Sequence, residues 1–337
     1  MRIKSFIIGI MLFIGMFGSH TTAQTSTVGN TQTIVYDSFQ KSGGYTLDDY
    51  FGKWTNIYGP GEMAFGDTRS FDGGRFSVSA VPFKTSYDYS VYDHLKYMAV
   101  SNQSFPVPQK GSITFSSEIN AETPGTVPNK LISGTYVQSG TQYTATVLEG
   151  QQAGVVMNMI DFKTGQLFDW FVSGSKAFTL IERLPSVVTD LPEHPTPPTS
   201  PQYVGREKMY TQIIDEVAIQ PGPHKVEIRY TRKPNEAMVE FFLDGRLISK
   251  VKNIGIPLDK QGVPYSGIYP SLGGGELLKD QINSFSIGHG LFSLLDAFPF
   301  QHPEAPELSV SIPVENRIFG QGASATFDNF VVTTKKD

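Results

Sequence analysis

The sequence predicts an all-β protein: a two-sheet antiparallel β-sandwich with one short helix near residues 290–298. Three observations carry this. Short runs of alternating apolar and polar residues recur along the chain, bounded by Gly, Pro, Asn and Asp, while helical periodicity is scarce. Aromatics make up 12% of the residues and 33 glycines supply tight turns, a composition suited to strands. No strand–helix–strand rhythm is present, so the sheets should be antiparallel and packed on one another.

Residues 1–23 read as a secretory signal peptide. Arg2 and Lys4 precede the apolar run 6–17, and small residues at Thr21 and Ala23 set cleavage after Ala23. The run is shorter than the roughly 20 residues a bilayer span needs. No later segment is apolar enough to span. The chain is therefore expected to be exported, with 24–337 forming one sandwich domain.

Strands are expected at 34–39, 75–81, 97–102, 112–121, 153–161, 167–172, 177–182, 209–218, 225–231, 237–243, 246–251, 284–287 and 325–333. Lys163-Thr164-Gly165 joins two of them. Asp244-Gly245 joins two more and carries the signature of a type I′ hairpin. Along 225–230, Val226, Ile228 and Tyr230 alternate with Lys225, Glu227 and Arg229, so one face is buried and one is wet. The proline-rich stretch 185–203 is expected as an extended surface loop. Near the end, Leu291, Leu294, Leu295 and Phe298 recur at helical spacing until Pro299 stops the pattern. This oily segment, 288–307, is expected either to plug the sandwich or to roof a ligand site as a lid.

The chain has no cysteine, which removes disulfides, thiolate chemistry and zinc–cysteine sites. Its net charge is −5, with acids and bases interspersed and no basic stripe, so nucleic acid is not an expected partner. The histidines show no metal-ligand spacing, and no Gly-x-Ser-x-Gly elbow is present.

The opening "YDSFQKSGGYTLDDYFGKW" and the closing "SATFDNFVVTT" resemble the first and last strands of the concanavalin A-like lectin/glucanase jelly rolls. "PHKVEIRYTRKPNEAMVEFFLDGRLISKV" resembles the laminin-G-like passage of the same superfamily. The resemblance implies a glycan-binding or glycan-processing protein acting at a concave sheet. Lectins, glycosidases, polysaccharide lyases and inert modules share this fold, so the fold alone does not supply an activity. The resemblance also implies no required cofactor but a structural calcium, held by Asp328 with a carbonyl near Gly43 or Gly44.

Candidate residues fall into three groups. In "EINAE", Glu118, Asn120 and Glu122 point the same way on a strand, and two carboxylates are what a glycosidase needs. The stretch resembles the Glu-Ile-Asp-x-Glu strand of jelly-roll endoglucanases, with Asn120 in place of the central Asp. A solvated strand face is the other reading. In the second group, Asn158, Asp169, Trp170, Glu182 and Arg183 lie on three consecutive strands, as a sugar platform or as cross-strand ion pairs around a core tryptophan. The third group is histidines: His94 as an acid–base residue, and His289 and His302 facing a ligand if 288–307 is a lid. A hydrophobic small molecule would then replace the glycan as the ligand.

Overall fold

The computed structural model describes residues 24–56, 68–85, 94–136, 140–183, 208, 210–264, 271, 273–295 and 310–337. The predicted signal peptide, the proline-rich segment, Phe298 and His302 lie outside these residues. The chain runs through β1 (Gln24–Val28), β2 (Thr31–Asp37), α1 (Leu47–Lys53), β3 (Trp54–Asn56), β4 (Thr68–Asp72), β5 (Arg75–Ala80), β6 (Leu95–Ser101), β7 (Phe105–Pro106) and β8 (Gly111–Glu122). It continues through β9 (Lys130–Tyr136), β10 (Gln142–Val147), α2 (Glu149–Gln152), β11 (Gly154–Asp161), β12 (Gln166–Val172), β13 (Lys176–Arg183) and β14 (Tyr210–Ala218). Last come β15 (Pro223–Arg232), β16 (Ala237–Leu243), β17 (Arg246–Lys252), β18 (Ser284–Phe292), β19 (Val310–Ser311), α3 (Val314–Arg317) and β20 (Ala323–Lys336).

These strands form the two-sheet antiparallel β-sandwich that the alternation predicts and the jelly roll that the resemblance implies. A nine-stranded sheet runs β1-β2-β20-β8-β15-β16-β17, with β5 paired to β20 and β4 to β5. An eight-stranded sheet runs β14-β13-β12-β11-β18-β6-β3, with β7 on β18, and β10-β9-β19 make a small third sheet. The pairings are antiparallel throughout. The odd residues of β8, such as Ile113, Phe115 and Ile119, meet Met157, Phe168, Trp170 and Ile287 from the other sheet in one large core. The Asp244-Gly245 turn has positive φ at both residues (51° and 78°), as a type I′ hairpin requires.

Strand β20 changes partners along its length. Its first residues, Ala323 to Phe327, pair with β5, and those from Phe330 onward pair with β2, while β8 lies along its other side. The change falls at a bulge in which Asn329 takes a left-handed φ of 51°. Helix α1 begins with a capping box between Thr46 and Asp49. It delivers Lys53 and, just beyond, Trp54 to Asp37: Lys53 Nζ at 2.9 Å, Trp54 Nε1 at 2.8 Å, with the Tyr45 hydroxyl at 2.6 Å. Each donates to the buried carboxylate, which so ties the N-terminal loop to the core.

The helix expected over 290–298 is a correction. Strand β18 runs on through Phe292, and Leu294 and Leu295 lie in a turn. The helical spacing misleads because the leucines bury in different places: Leu291 in the inter-sheet core, Leu294 on the outer face of the eight-stranded sheet, and Leu295 with Ile132, Val147 and Ile312 beside the third sheet. The glycines of "GHG" suit a strand in close contact. A Cβ on Gly290 would stand 2.2 Å from the Tyr97 carbonyl oxygen, and one on Gly288 would stand 3.0 Å from Asn158 Oδ1. Leu295 is buried at 3% exposure. Leu295→Ala should cost about 2–5 kcal/mol in a denaturant melt, the range for a buried leucine cut back to alanine.

Candidate functional site

The outer face of the eight-stranded sheet is closed to solvent. Along β11, Val156, Asn158 and Ile160 point to it; along β12, Leu167, Asp169 and Phe171; along β13, Phe178, Leu180 and Glu182. With Leu95, Met98, Val100, Ile213, Phe292 and Leu294, the apolar members make a second hydrophobic cluster. The polar side chains buried on this face include Thr211, cross-strand from Glu182, and three whose chemistry is linked: Asn158 (0% exposed), Asp169 (1%) and Glu182 (3%).

Sheet register brings these three together. Asn158 pairs directly with Asp169, and its amide donates to Asp169 Oδ1. Asp169 pairs with Leu180 and Leu167 with Glu182, so the two acids are diagonal neighbours on adjacent strands, a separation that long side chains bridge. Burial pushes the Glu182 carboxyl up to about 8. Burial first, then the neighbouring Glu182 charge, raises Asp169 well above the carboxylate range, with the Asn158 hydrogen bond opposing. Among the described residues no cation pairs with either acid. The arrangement can therefore hold a proton at neutral pH between two acids, and Asn158 favours the ionised form of Asp169.

The other members of the predicted platform point elsewhere. Trp170 faces the inter-sheet core, where its Nε1 donates to the Glu227 carbonyl at 3.1 Å and its ring meets Phe241 edge-on. It offers no ring face to a sugar, because a residue one step from Asp169 on a strand points to the opposite side. Arg183 is likewise on the other side of β13. It donates to the Thr164 carbonyl and to Glu276, both at 2.8 Å, and ties a loop to the sheet.

His289 is a correction too. It lies between Gly288 and Gly290 and points into the core, ringed by Trp54, Phe76, Phe327 and Phe330. Its Nε2 is 2.9 Å from the Tyr50 hydroxyl, which is 2.5 Å from that of Tyr97, while Nδ1 has no partner. Burial lowers its pKa to about 3, so it is neutral at ordinary pH, packed among core aromatics. His94, at the start of β6, sets its ring edge-on to Phe292 at 5.5 Å.

Glu118, Asn120 and Glu122 do point the same way, outward from the nine-stranded sheet and on a different layer from Asp169. Four residues apart, Glu118 and Glu122 are about 13 Å from one another at strand rise, too far for a retaining pair at about 5–5.5 Å. Asp328 is cross-strand from Glu118. Its Oδ1 is buried without a partner, and burial followed by the Glu118 charge raises its pKa. Arg75 Nη2 stands 3.9 Å from Glu118. No three metal-ligating side chains gather among the described residues. Calcium takes about six to eight oxygens, so an ion at Asp328 would draw most of its ligands from backbone carbonyls and water.

Sequence reasoning missed the separation of this face from the core and the contribution of Gly288. The available signal was parity: Asn158, Asp169 and Glu182 take the outward positions of three strands whose inward positions are apolar.

The model of a family described as "Family of unknown function (DUF6081)" matches residues 60–336. No curated protein matches the chain. Among solved structures it is similar to an endo-1,3-beta-glucanase from Streptomyces sioyaensis, at 11% identity over 96% of this chain and 100% of that one, with a TM-score of 0.42. It is similar to the laminarinase catalytic domain from Thermotoga maritima MSB8, at 11% identity over 93% and 98%, TM-score 0.41. It is also similar to the exolytic PL7 alginate lyase AlyA5 from Zobellia galactanivorans, at 9% identity over 83% and 90%, TM-score 0.37. Likenesses of this size carry no argument about what the chain does.

Proposed function

The chain belongs to this family of unknown function, and from that premise we propose that it processes a carbohydrate, with Asp169 and Glu182 as its acid–base pair. The observation that supports this most is the pair itself: two carboxyl groups buried side by side on a largely apolar face, with no cation paired to either among the described residues. Such a pair costs stability wherever it is ionised, and well-packed apolar side chains would serve a purely structural face better. Glycosidic bond cleavage uses one protonated and one ionised carboxyl, and a buried pair that shares a proton can divide those two roles. The face is closed in this structure, so it has to open to admit a substrate.

The test is release of reducing ends or unsaturated products from a panel of polysaccharides and oligosaccharides. Asp169→Asn and Glu182→Gln should each lower turnover by about 10²–10⁴-fold, the usual weight of a positioned acid or base. Full turnover in both variants would sink the proposal. A second reading, an enzyme or carrier for an apolar small molecule, is favoured by the aliphatic walls of the same face. It predicts a hydrophobic ligand in native mass spectra of the purified protein and no action on glycans.

Export through a cleaved signal peptide is part of the proposal. Material recovered from the producing cells' medium or periplasm should begin at Gln24 or within a few residues of it. An intact Met1 there would reject cleavage. No helix among the described residues is long and apolar enough to cross a membrane.

A further inference from the structure

The acid–base reading leaves Glu118, Asn120, Glu122 and Asp328 unused, and all four line one groove on the exposed face of the nine-stranded sheet. Here β4, β5, β20 and β8 lie side by side. Their register aligns Ser70, Ser77, Thr326 and Asn120 in one row across the strands, and Thr68, Ser79, Ser324 and Glu122 in the next. Neighbours in a row touch: Ser79 Oγ to Ser324 Oγ is 2.7 Å, and Ser77 Oγ to Thr326 Oγ1 is 3.3 Å. Asn120 and Thr326 also line the adjoining hollow, which contains Arg75, Glu118 and Asp328, so the two depressions are continuous.

We propose that this groove is a second, non-catalytic binding site for a neutral polysaccharide chain. Three features point to that class. Hydroxyls and an amide recur at the strand spacing of about 4.8 Å, and each hydroxyl both donates and accepts, as a sugar hydroxyl does. The repeat suits a polymer that presents the same groups again and again, rather than a single small molecule. Three carboxylates against one guanidinium give the groove a negative charge, which disfavours uronate or sulfated chains. Its apolar lining is limited to Val78, Ala325 and Pro223, too little to seat a lipid or an amphipathic helix. The site goes beyond the Asp169–Glu182 reading, because it lies on the other sheet and faces the opposite way.

Affinity gel electrophoresis tests it, using the full protein in gels containing mixed-linkage β-glucan, xylan, mannan, soluble starch or alginate. Retardation is expected in at least one neutral gel and not in alginate. The double variant Asn120→Leu, Thr326→Val removes two hydrogen-bonding groups from the middle of the groove and should weaken that retardation about tenfold. Its melting temperature shows whether the fold survives. The milder Ser79→Ala should weaken retardation in the same direction if the double variant unfolds. Asp169→Asn with Glu182→Gln should leave retardation unchanged, so failure of the catalytic reading is read separately. No retardation by any neutral polysaccharide, or equal retardation in folded groove variants, would overturn the proposal.

Discussion

Glu182→Gln should leave stability unchanged near pH 4.5 and make the protein progressively more stable than wild type up to pH 8. The sign follows from the direction of the shift. In the folded chain the Glu182 carboxyl titrates at about 8, against 4.5 for an ordinary glutamate. A raised folded pKa means that folding takes up a proton. The stability this contributes is complete below about pH 4.5 and is lost as pH rises through 8. The wild type should lose up to about 1.4 kcal/mol per pH unit across that window relative to the variant. Asp169 is shifted in the same direction, and Asp169→Asn should behave alike. Urea midpoints at pH 4.5, 6 and 8 read the effect, and parallel curves would mean that the pair is not protonated in the fold. The same substitutions are expected to abolish turnover. Stability gained where activity is lost distinguishes a functional pair from a structural one.

On the acid side the sign is reversed and the residue is His289. Its folded pKa is about 3, against 6.5 for an ordinary histidine. Folding therefore releases a proton, and the stability is present above pH 6.5 and lost as pH falls through 3. His289→Gln is neutral at every pH and retains a hydrogen-bonding group for the Tyr50 hydroxyl. It should remove a loss of up to about 1.4 kcal/mol per pH unit between pH 6.5 and 3. The substitution also disturbs a ring of packed aromatics, so its absolute stability at pH 7 should be lower. The diagnostic is the slope with pH and not the level. An equal acid slope in variant and wild type would show that His289 is not held neutral by burial.

The strands that sequence reading located have one apolar face. Those it missed are short or show little of such a face: "QTSTV" of β1 and "QYTATV" of β10 are rich in hydroxyls, "TRSFD" of β4 and "KLISGTY" of β9 hold few apolar residues, and β3, β7 and β19 are three, two and two residues long. Helix α1 has seven residues, too few to show a period, although its Thr46–Asp49 box was visible in "TLDD". Within the candidate site, Asn158, Asp169 and Glu182 were legible as residues on three neighbouring strands. Trp170 and Arg183 were grouped with them only because strand parity was not applied. The "GHG" of β18 was read as the edge of a helix because leucine spacing was weighed without the glycines, whose missing side chains admit Tyr97 and Asn158.

The partner change along β20 has a consequence for when the chain can fold. The fourteen residues of this strand stand near the middle of the nine-stranded sheet, between β8 and the pair β5 and β2. Thr33 meets Thr333 across it, 300 positions away in sequence. A ribosome delivers β20 after every other strand of this sheet, so the sheet has a gap at its centre until β20 is made. Contacts this distant close slowly, because the loop entropy is lost before the contacts repay it. Until then β2, β5 and β8 expose unpaired edges, which are aggregation-prone. The nine-stranded sheet therefore cannot close until β20 is made, and removing β20 should leave no stable nine-stranded sheet.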